Sequence, residues 1–367
     1  MAAPGRRVKR AAKRGAKVAA DPPAIWVAAA LPGLEDLLKA EISRRFKGQV
    51  VFLTHAKTGE CHFRFAGRPK TLLSLRLCHL LYRRRDFAVT RPRTLLSPEH
   101  LLTLGRELKA VMRVTSADHY AGLRFDAAGA NSPTLQRLGQ QLSEQLGVPF
   151  ENETGDLVVT LRPGKGGWEV LCRVGNRPLG TRAYRQVNYL GSVSGTVAAA
   201  LVELTTPVRG DRFLNLMCGS GTIMIEALER FAAATMVGVD NSPTALTAAA
   251  RNCAAAGVRE RSLLLRADVR RLPFADGSFD KLCVDLPWGE SVGTRQSNVS
   301  LYRDTFVESH RLCQADGKLV VYTQDEGAIN ALGQEVARDW QLLEERRFVQ
   351  RGFQPLCRVY GKRGEQG

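Results

Sequence analysis

The sequence lacks the long apolar stretch that a membrane-spanning helix needs. Its 367 residues contain no run of about 18 consecutive apolar residues. Its N-terminus also lacks the apolar core that signal peptides carry. We therefore expect no membrane association and a cytoplasmic location.

Cysteine and histidine are too scattered for a zinc site. The eight cysteines include no C-x-x-C pair, and none has a histidine at finger spacing. Scattered cysteines in a chain of this length are typical of reduced, intracellular thiols. We expect no bound metal. Cys218 and Cys283 have no activating base nearby in sequence and are predicted to be structural.

Acidic residues are scarce in the first part of the chain. The whole chain has 53 Lys and Arg against 36 Asp and Glu. Residues 206–367 hold 21 basic and 20 acidic residues, so by difference residues 1–205 hold 32 and 16, a net charge of +16 against +1. A one-sided positive field is typical of a polyanion binder. An acidic membrane surface is the alternative, but no strongly amphipathic basic helix supports it.

Residues 1–22 contain seven Lys or Arg before the first acid, Asp21, and show no hydrophobic periodicity. This composition predicts a disordered basic arm. RNA binding, a gain in solubility and organelle targeting remain open as its role, although the absence of serine argues against targeting.

Hydrophobic periodicity predicts two small α+β units in residues 23–188. Residues 23–92 read as strand, helix, strand, strand, helix and strand, the split β-α-β order of a ferredoxin-like domain. Residues 93–188 read as a helix, a strand, a second helix, a hairpin and a basic linker. In the second helix Ser132 is the predicted cap, with Pro133 in the first turn.

From residue 189 to 367 short strands alternate with helices. This alternation predicts a mostly parallel sheet with helices on both faces, the Rossmann-like α/β class.

The stretch "FLNLMCGSGTIMIEAL" predicts a strand, a tight turn and a helix. The strand ends near Asn215, the turn contains Gly219 and Gly221, and the helix begins at about Thr222. Glycines let the backbone approach a ligand closely, and a helix N-terminus offers unpaired N–H groups. The third glycine of a dinucleotide fingerprint is missing, and no G-K-[ST] follows for a phosphate loop.

Two acids follow the next two predicted strands. Asp240 comes about twenty residues after the glycines, where a carboxylate can accept hydrogen bonds from both ribose hydroxyls. A helix cap is the alternative, but Ser242 can already serve as that cap. Asp268 can bind an adenine amino group, with Val269 packing beside the ring. Both acids follow parallel strands at the edge where ligands gather.

A fourth strand end, "DLPWG", places a carboxylate, a proline and an aromatic side chain together. With "NLMCGSGT", "GVD" and "RAD", it resembles the motif order of class I S-adenosylmethionine (SAM)-dependent methyltransferases. "DLPW" is similar to the [DN]-P-P-[YFW] signature of enzymes that methylate exocyclic amines. From about residue 25 onward the chain resembles THUMP-containing RNA guanine-N2 methyltransferases, the tRNA group in particular. The resemblance implies a THUMP RNA-binding domain over residues 93–188 and a methyltransferase domain over 189–367.

The resemblance implies a catalytic role for the "DLPW" loop. The side chain of Asp285 and the backbone carbonyl of Leu286 would hold the hydrogens of the target amine and aim its lone pair at the methyl carbon. Pro287 stiffens the loop, and Trp288 would stack on a base taken out of its helix. The alternative is a strand-ending turn with a core tryptophan.

The resemblance also implies a set of cofactor-binding residues: Asn215, Met217, Cys218, Gly219, Ser220, Gly221, Thr222, Asp240, Asn241, Asp268, Val269 and Asp285, with Ser192 and Thr196 from the segment before the first motif. Two departures stand out. Leu286 replaces the first proline of the signature, and Asn215 and Leu216 replace the usual Asp-Pro, so Asn215 has no charge to hold the cofactor's ammonium group.

Recognition of the substrate is assigned to the basic first part, because only the short loop "ESVGTRQSNVS" separates "DLPWG" from the next predicted helix. DNA amino-methyltransferases of several classes carry a large recognition insert, so this shortness favours structured RNA. The candidate RNA contacts are Arg124, Arg182, Tyr184 and Arg185. Solvated side chains are the alternative for each.

The sequence thus predicts a monomeric SAM-dependent methyltransferase that forms N2-methylguanosine in RNA, with tRNA as the expected substrate, by direct in-line displacement without a metal. Methylation of ribosomal RNA or of adenine N6 stays open, because the loop signature does not distinguish guanine from adenine amines. An inactive RNA-binding protein with a methyltransferase-like domain also stays open, because of the departures at Asn215 and Leu286.

Overall fold

The structure is a computed structural model that describes residues 24–54, 57–115, 119–230, 236–288, 295–349 and 352–363. The predicted basic arm, residues 1–22, lies outside these described residues. The fourteen strands of the described residues form two seven-stranded sheets. Within these ranges no helix is both long enough and apolar enough to cross a membrane.

The first four strands form the split arrangement that the sequence predicts. The elements are β1 (Ile25–Ala29), α1 (Glu35–Arg45), β2 (Val50–Phe52), β3 (Glu60–Phe65) and β4 (Leu80–Phe87). The order β2-β3-β1-β4 inserts β3 between β1 and β2, and all neighbouring pairs are antiparallel.

The second helix predicted in this region is only a 3-10 helix, Pro69–Ser74. The chain turns extended at Leu75, where φ is −64° and ψ is 125°. Leu75 and Leu77 are both buried. In an extended chain, residues two positions apart point to the same side. The leucine-rich stretch can therefore bury Leu75 and Leu77 together without forming a helix.

The same sheet continues into the next unit. Its elements are α2 (Pro98–Val114), β5 (Leu123–Asp126), α3 (Pro133–Leu146), β6 (Leu157–Gly164) and β7 (Gly167–Arg173). Ser132 caps α3, since its Oγ accepts the N–H of Leu135 at 3.5 Å. β4 pairs with β7, so the two predicted N-terminal domains share one sheet across residues 92/93.

The second sheet has the Rossmann-like order β10-β9-β8-β11-β12-β14-β13, in which β8 to β12 are parallel and β14 is antiparallel to both neighbours. Its strands and helices are α4 (Gly195–Leu204), β8 (Phe213–Leu216), α5 (Thr222–Arg230), β9 (Met236–Asp240), α6 (Pro243–Ala255), β10 (Ser262–Arg266), β11 (Phe279–Asp285), α7 (Arg295–Leu312), β12 (Cys313–Thr323), α8 (Glu326–Ala331), α9 (Gly333–Asp339), β13 (Trp340–Arg347) and β14 (Leu356–Lys362).

The order of the second sheet reverses between β8 and β11. From β8 the chain proceeds outward through β9 and β10, then returns to the other side of β8 with β11. A crevice at the carboxyl ends of the strands is expected at such a reversal, and it is where α/β proteins bind ligands. The fold therefore brings the ends of β8, β9, β10 and β11 to one site.

Candidate active site

A cavity of about 340 Å³ lies at the carboxyl ends of β8 to β11. It brings together most of the predicted cofactor and catalytic residues, although they are spread over almost 100 positions of the chain. Those that line it are Ser192, Met217, Cys218, Gly219, Ser220, Thr222, Asp240, Asn241, Asp268, Val269, Asp285, Leu286, Pro287 and Trp288.

The glycine turn forms one wall of the cavity. Gly219 and Gly221 have φ of 54° and 79°, in the left-handed region that glycine adopts without steric cost. A Cβ added to Gly221 would lie 3.1 Å from Cβ of Ala249, so α6 packs directly on this turn. Gly219, Ser220 and Thr222 line the cavity, so the turn and the start of α5 form part of its wall.

Asp240 holds this wall in place. Its Oδ2 accepts the N–H of Gly219 at 2.8 Å, and its Oδ1 accepts the N–H of Ser242 at 2.9 Å. Ser242 is the N-cap of α6 through a bond from the N–H of Ala245, and Asp240 bonds the N–H of that cap residue. The ribose-binding role of Asp240 stays a prediction. The carboxylate lies on the cavity wall beside the glycine turn, where ribose hydroxyls can reach it.

Asp268 lies at the more open end of the cavity. Its side chain is 47% exposed and forms an ion pair with Arg270, which also lines the cavity. The hydrogen bond from the Arg270 side chain holds the pKa of Asp268 below its ordinary value. The carboxylate is therefore ionised at neutral pH and can accept a hydrogen bond from an amino group.

Three of the predicted cofactor residues, Asn215, Thr196 and Gly221, do not line the cavity. Asn215 is fully buried inside the sheet, and its Nδ2 donates to the carbonyls of Leu216 and Cys283 at 3.2 and 3.3 Å. Thr196 is 1% exposed on α4. This corrects the prediction for both residues, because each is packed away from the cavity and Asn215 is engaged by its neighbouring strand. Gly221 also contributes no lining surface and acts through the shape of the turn.

Asp285 is the most perturbed carboxyl group of the cavity. Burial raises its pKa to about 8, against the smaller opposing effect of a hydrogen bond with the Trp288 side chain. Its Oδ1 is buried and has no hydrogen-bond partner. A buried acceptor without a partner costs free energy.

The loop after Asp285 is held by buried hydrogen bonds that the sequence did not reveal. The carbonyl of Pro287 accepts bonds from the Tyr302 hydroxyl at 2.6 Å and from Asn298 Nδ2 at 3.2 Å. The Tyr302 hydroxyl also lies 2.7 Å from Thr323 Oγ1. Tyr302 and Asn298 are 0% and 1% exposed on α7. No local motif marks them, because they approach the loop only through the fold.

The structure shows what Leu286 contributes at the position where the signature has its first proline. Its side chain is 1% exposed, and its N–H donates to the carbonyl of Tyr322 on β12 at 2.9 Å. Proline has no N–H and could not form this bond. At this position the loop is therefore held by a hydrogen bond to the neighbouring strand, where a proline would have restricted the backbone instead.

The segment before α4 closes the opposite side of the cavity. Tyr189 to Val193 line it, and Ser192 Oγ lies 2.7 Å from Ser220 Oγ in the glycine turn. The Tyr189 hydroxyl donates to Ser242 Oγ at 3.5 Å. Ser192 was predicted from the sequence, whereas Tyr189 and Leu190 were not, because they lie in a segment with no periodic pattern.

Two of the four predicted RNA contacts are buried. Arg182 and Tyr184 are 8% and 7% exposed, and both donate to the carboxylate of Glu226. This corrects the prediction for both, because a side chain that is bonded inside the protein is not free to bind RNA. Arg124 is half-buried with Nε donating to the carbonyl of Gly155, and Arg185 is also half-buried. Their role in RNA binding stays a prediction.

Comparison with known proteins finds a family model that matches the part of the chain containing the site. The family model of the RMKL-like methyltransferase domain, UPF0020, matches residues 182–353. This range contains every cavity residue described above. Residues 182–353 carry a methyltransferase domain. Among the residues that the structure describes, no group of three or more His, Cys, Asp or Glu side chains could hold a metal ion.

Relatives extend the similarity beyond this methyltransferase domain. The tRNA (guanine(6)-N2)-methyltransferase of Thermus thermophilus is 28% identical over 82% of this chain and 89% of that protein. The human tRNA (guanine(6)-N(2))-methyltransferase THUMP3 is 30% identical over 38% of this chain and 31% of that protein. The mouse U6 snRNA (guanine-N(2))-methyltransferase THUMPD2 is 31% identical over 41% of this chain and 27% of that protein.

Solved structures confirm the fold. TrmN from Thermus thermophilus has a TM-score of 0.69 and 25% identity, covering 92% of this chain and 99% of that chain. The structure of SMU.472 complexed with SAH has a TM-score of 0.63 and 16% identity, covering 94% of this chain and 100% of that chain. The class I methyltransferase fold and the shared sheet that precedes it are therefore those of known proteins.

Proposed function

We propose that this protein is a SAM-dependent methyltransferase that forms N2-methylguanosine in tRNA. The observation that carries the proposal is the "DLPW" loop, which brings Asp285 and Trp288 to the wall of one cavity with the strand-end residues Asp240 and Asp268. The relative that supports tRNA matches both the methyltransferase domain and the part before it, since it covers 82% of this chain.

The cavity fits SAM by the chemistry of its lining. Asp240 offers carboxylate oxygens for the ribose hydroxyls, while Asp268 and Val269 suit the adenine amino group and ring. The glycine turn lets the methionine part approach the start of α5. When bound, SAM supplies an electrophilic methyl group on a positively charged sulfur.

The protein's own contribution to transfer is to orient the target amine. The lone pair of an exocyclic guanine amine is delocalised into the ring, so the free amine is a weak nucleophile. Asp285 and the carbonyl of Leu286 can accept its two hydrogens and turn the lone pair toward the methyl carbon, while Trp288 stacks on the flipped base. Transfer would form a nitrogen–carbon bond as SAM's carbon–sulfur bond breaks, and Asp285 would accept the proton that the methylated nitrogen releases.

A small nuclear RNA substrate is the second candidate, because relatives named U6 snRNA methyltransferases match the chain. Those matches cover about two fifths of the chain, whereas the match to the Thermus tRNA enzyme covers 82%. A match that includes the basic front part bears on the RNA substrate more directly than one confined to less than half of the chain.

The test is nucleoside mass spectrometry after incubation with methyl-labelled SAM. The RNAs are unmodified tRNA, a U6-type small nuclear RNA and ribosomal RNA, each also incubated with Asp285→Ala. We expect labelled N2-methylguanosine from tRNA with the parent protein and very little with the variant. Labelled N6-methyladenosine, or label only in another RNA, would replace the proposed substrate. Absence of SAM binding by calorimetry would favour the inactive RNA-binding alternative.

A further inference from the structure

Glu226 lies at the centre of a buried ionic cluster outside the cavity. It is on α5, one turn after the glycine turn, and its side chain is completely buried. Its carboxylate accepts bonds from Arg76 Nε and Nη2 at 2.8 and 2.7 Å, from Arg182 Nε at 2.8 Å and from the Tyr184 hydroxyl at 2.7 Å. We call Glu226, Arg76, Arg182 and Tyr184 the Glu226 cluster.

The cluster joins three parts of the chain. Arg76 belongs to the front unit (residues 24–181), which contains the first sheet. Arg182 and Tyr184 belong to the connecting segment (residues 182–194), which is the first part of the matched range 182–353, and Glu226 belongs to α5 of the methyltransferase domain. Arg182 also donates to the backbone carbonyl of Arg76 at 2.5 Å, so it binds both partners at once. The cluster therefore fixes the front unit directly to the helix that begins at the glycine turn.

The electrostatics of the cluster favour a single geometry. Two guanidinium groups share one buried carboxylate, and burial strengthens their attraction because water screens it little. Burial and the neighbouring Glu226 raise the pKa of Tyr184 well above its ordinary value, so its hydroxyl remains a donor. Removing one partner would leave buried charge or an unpaired buried donor, which is costly.

The side chain of Arg182 packs closely against the start of α4. A Cβ added to Gly195, the first residue of α4, would lie 2.4 Å from Cγ of Arg182. The stem of Arg182 thus packs against the start of the helix that follows the connecting segment. The position of the cluster is set by backbone packing as well as by charge.

The connecting segment carries this constraint to the cavity. The N–H of Val187 donates to Asn252 Oδ1 at 3.0 Å, and Asn252 Nδ2 donates to the carbonyls of Val187 and Ser220 at 3.2 and 3.1 Å. Ser192 then meets Ser220 at the cavity wall. The connecting segment is therefore joined to the glycine turn at two points, through Asn252 at Val187 and directly at Ser192.

Other ion pairs between the front unit and the methyltransferase domain are more exposed. Arg346 forms a bidentate pair with Asp36, whose side chain is 61% exposed. Arg44 pairs with Glu203, and the Arg44 side chain is 42% exposed. Exposed pairs contribute little to stability or geometry because water screens them. Of these three ionic connections between the front unit and the methyltransferase domain, the Glu226 cluster is the buried one.

We propose that the Glu226 cluster fixes the orientation of the front unit relative to the cavity and thereby determines which nucleotide of a bound RNA reaches Asp285. The inference rests on the proposed function, since it assumes that the front unit holds the RNA. Arg76, Arg182, Tyr184 and Glu226 are positioning residues: none of them lines the cavity.

The test compares Tyr184→Phe, Arg76→Gln and the double variant with the parent protein. The matched control is Asp36→Asn, which removes an exposed pair across the same boundary. We expect the cluster variants to slow transfer to tRNA by about tenfold to a hundredfold, as small misplacements of reacting groups do. We also expect a larger share of the label on neighbouring nucleotides, mapped by mass spectrometry of RNase fragments. The SAM dissociation constant of the cluster variants should be unchanged. The control variant should transfer methyl groups at the parent rate and to the parent nucleotide.

Small-angle X-ray scattering gives a readout that does not depend on activity. We expect the double variant to have a larger radius of gyration than the parent protein and the Asp36→Asn control. Should the double variant not fold, Tyr184→Phe, which removes one hydroxyl, decides the question. Folded cluster variants with the parent rate, label distribution and radius of gyration would overturn the proposal. A parent protein that methylates no RNA overturns the proposed function, and scattering then decides the role of the cluster separately.

Discussion

Asp285 is the residue whose substitution separates catalysis from binding most clearly. If it orients the target amine, Asp285→Ala should slow transfer by about a hundredfold to ten-thousandfold while the dissociation constants for SAM and RNA change little. Asp285→Asn keeps one oxygen acceptor of similar reach and should retain more activity than the alanine variant. Single-turnover methylation of tRNA at saturating SAM measures both. A folded alanine variant that transfers at close to the parent rate would show that "DLPW" is only a structural turn.

The pKa of Asp285 predicts a pH dependence of activity and of stability. Because its pKa is raised to about 8, the carboxyl is partly protonated at neutral pH, and kcat/KM for SAM should rise with pH and level off above about 8. The folded state binds this proton more tightly than the unfolded chain does. The parent should therefore lose stability relative to Asp285→Asn as pH rises from about 4 to 8.

Parallel measurements on Asp285→Asn separate this group from the other titrating residues. The variant should lack the rise in kcat/KM, and the difference in unfolding free energy between the two proteins should shift in its favour toward pH 8. A parent profile that is flat between pH 6 and 9 would contradict the assignment of this pKa.

Tyr302 is predicted to act through the carbonyl of Pro287. Tyr302→Phe removes the hydroxyl that donates to this carbonyl and leaves Thr323 Oγ1 without that neighbour. We expect about 1–3 kcal/mol less stability, as for a lost buried hydrogen bond. We also expect a lower kcat with an unchanged SAM dissociation constant. Thr305→Val is the matched control, because it removes a buried hydroxyl of the same helix that bonds only within that helix. Equal effects of the two variants on kcat would reject a positioning role.

At the scale of the element, the glycine turn offers a paired test. Gly221→Ala and Gly219→Ala both place a side chain in the left-handed region, at about 1–2 kcal/mol each. Only at Gly221 would the new Cβ also press on α6, since the nearest atom at Gly219 is Tyr189 Cδ1 at 4.0 Å. Gly221→Ala should therefore unfold at lower denaturant concentration. Gly219→Ala, whose Cβ faces the cavity wall, should weaken SAM binding at a smaller cost in stability. Identical unfolding midpoints would contradict this account of the turn.

The elements that the sequence predicts best are those whose pattern is local. The parallel strands of the second sheet are short apolar runs that end in turn residues, and they form as predicted. β13, "WQLLEERR", was missed because Trp340 alone is fully buried along it and its charges are typical of a helix. It is a strand because it pairs with β14, and this pairing cannot be predicted from the residues of β13 alone.

At the scale of the whole molecule, the strand-end acids could be predicted because topology places the carboxyl ends of parallel strands together. The supporting residues could not. Tyr184 donates to a carboxylate 42 positions away, and an aromatic residue between two arginines is typical of a nucleic-acid contact when it is read without that partner. Tyr302, Asn298 and Asn252 likewise acquire their roles only from tertiary contacts.

The charge asymmetry gives a prediction for the whole chain. Arg84 and Arg162 are paired with Glu60 or Glu169 inside the first sheet, so the external field arises from exposed side chains, among them Lys47, Arg68 and Lys70. Truncation at residue 206 would remove α4, nine of whose ten residues are buried, and would not test this field in a folded protein.

The experiment therefore uses the full chain. A plot of the logarithm of the tRNA association constant against the logarithm of salt concentration should have a slope of about −3 or steeper, because each neutralised phosphate releases counterions. SAM affinity, measured over the same salt range, is the control and should change much less, since SAM presents no row of phosphates. Substituting glutamine at Lys47, Arg68 and Lys70 should make the slope shallower and leave the SAM affinity unchanged. A salt-independent affinity for tRNA would mean that the net charge of +16 in residues 1–205 does not bind the phosphate backbone.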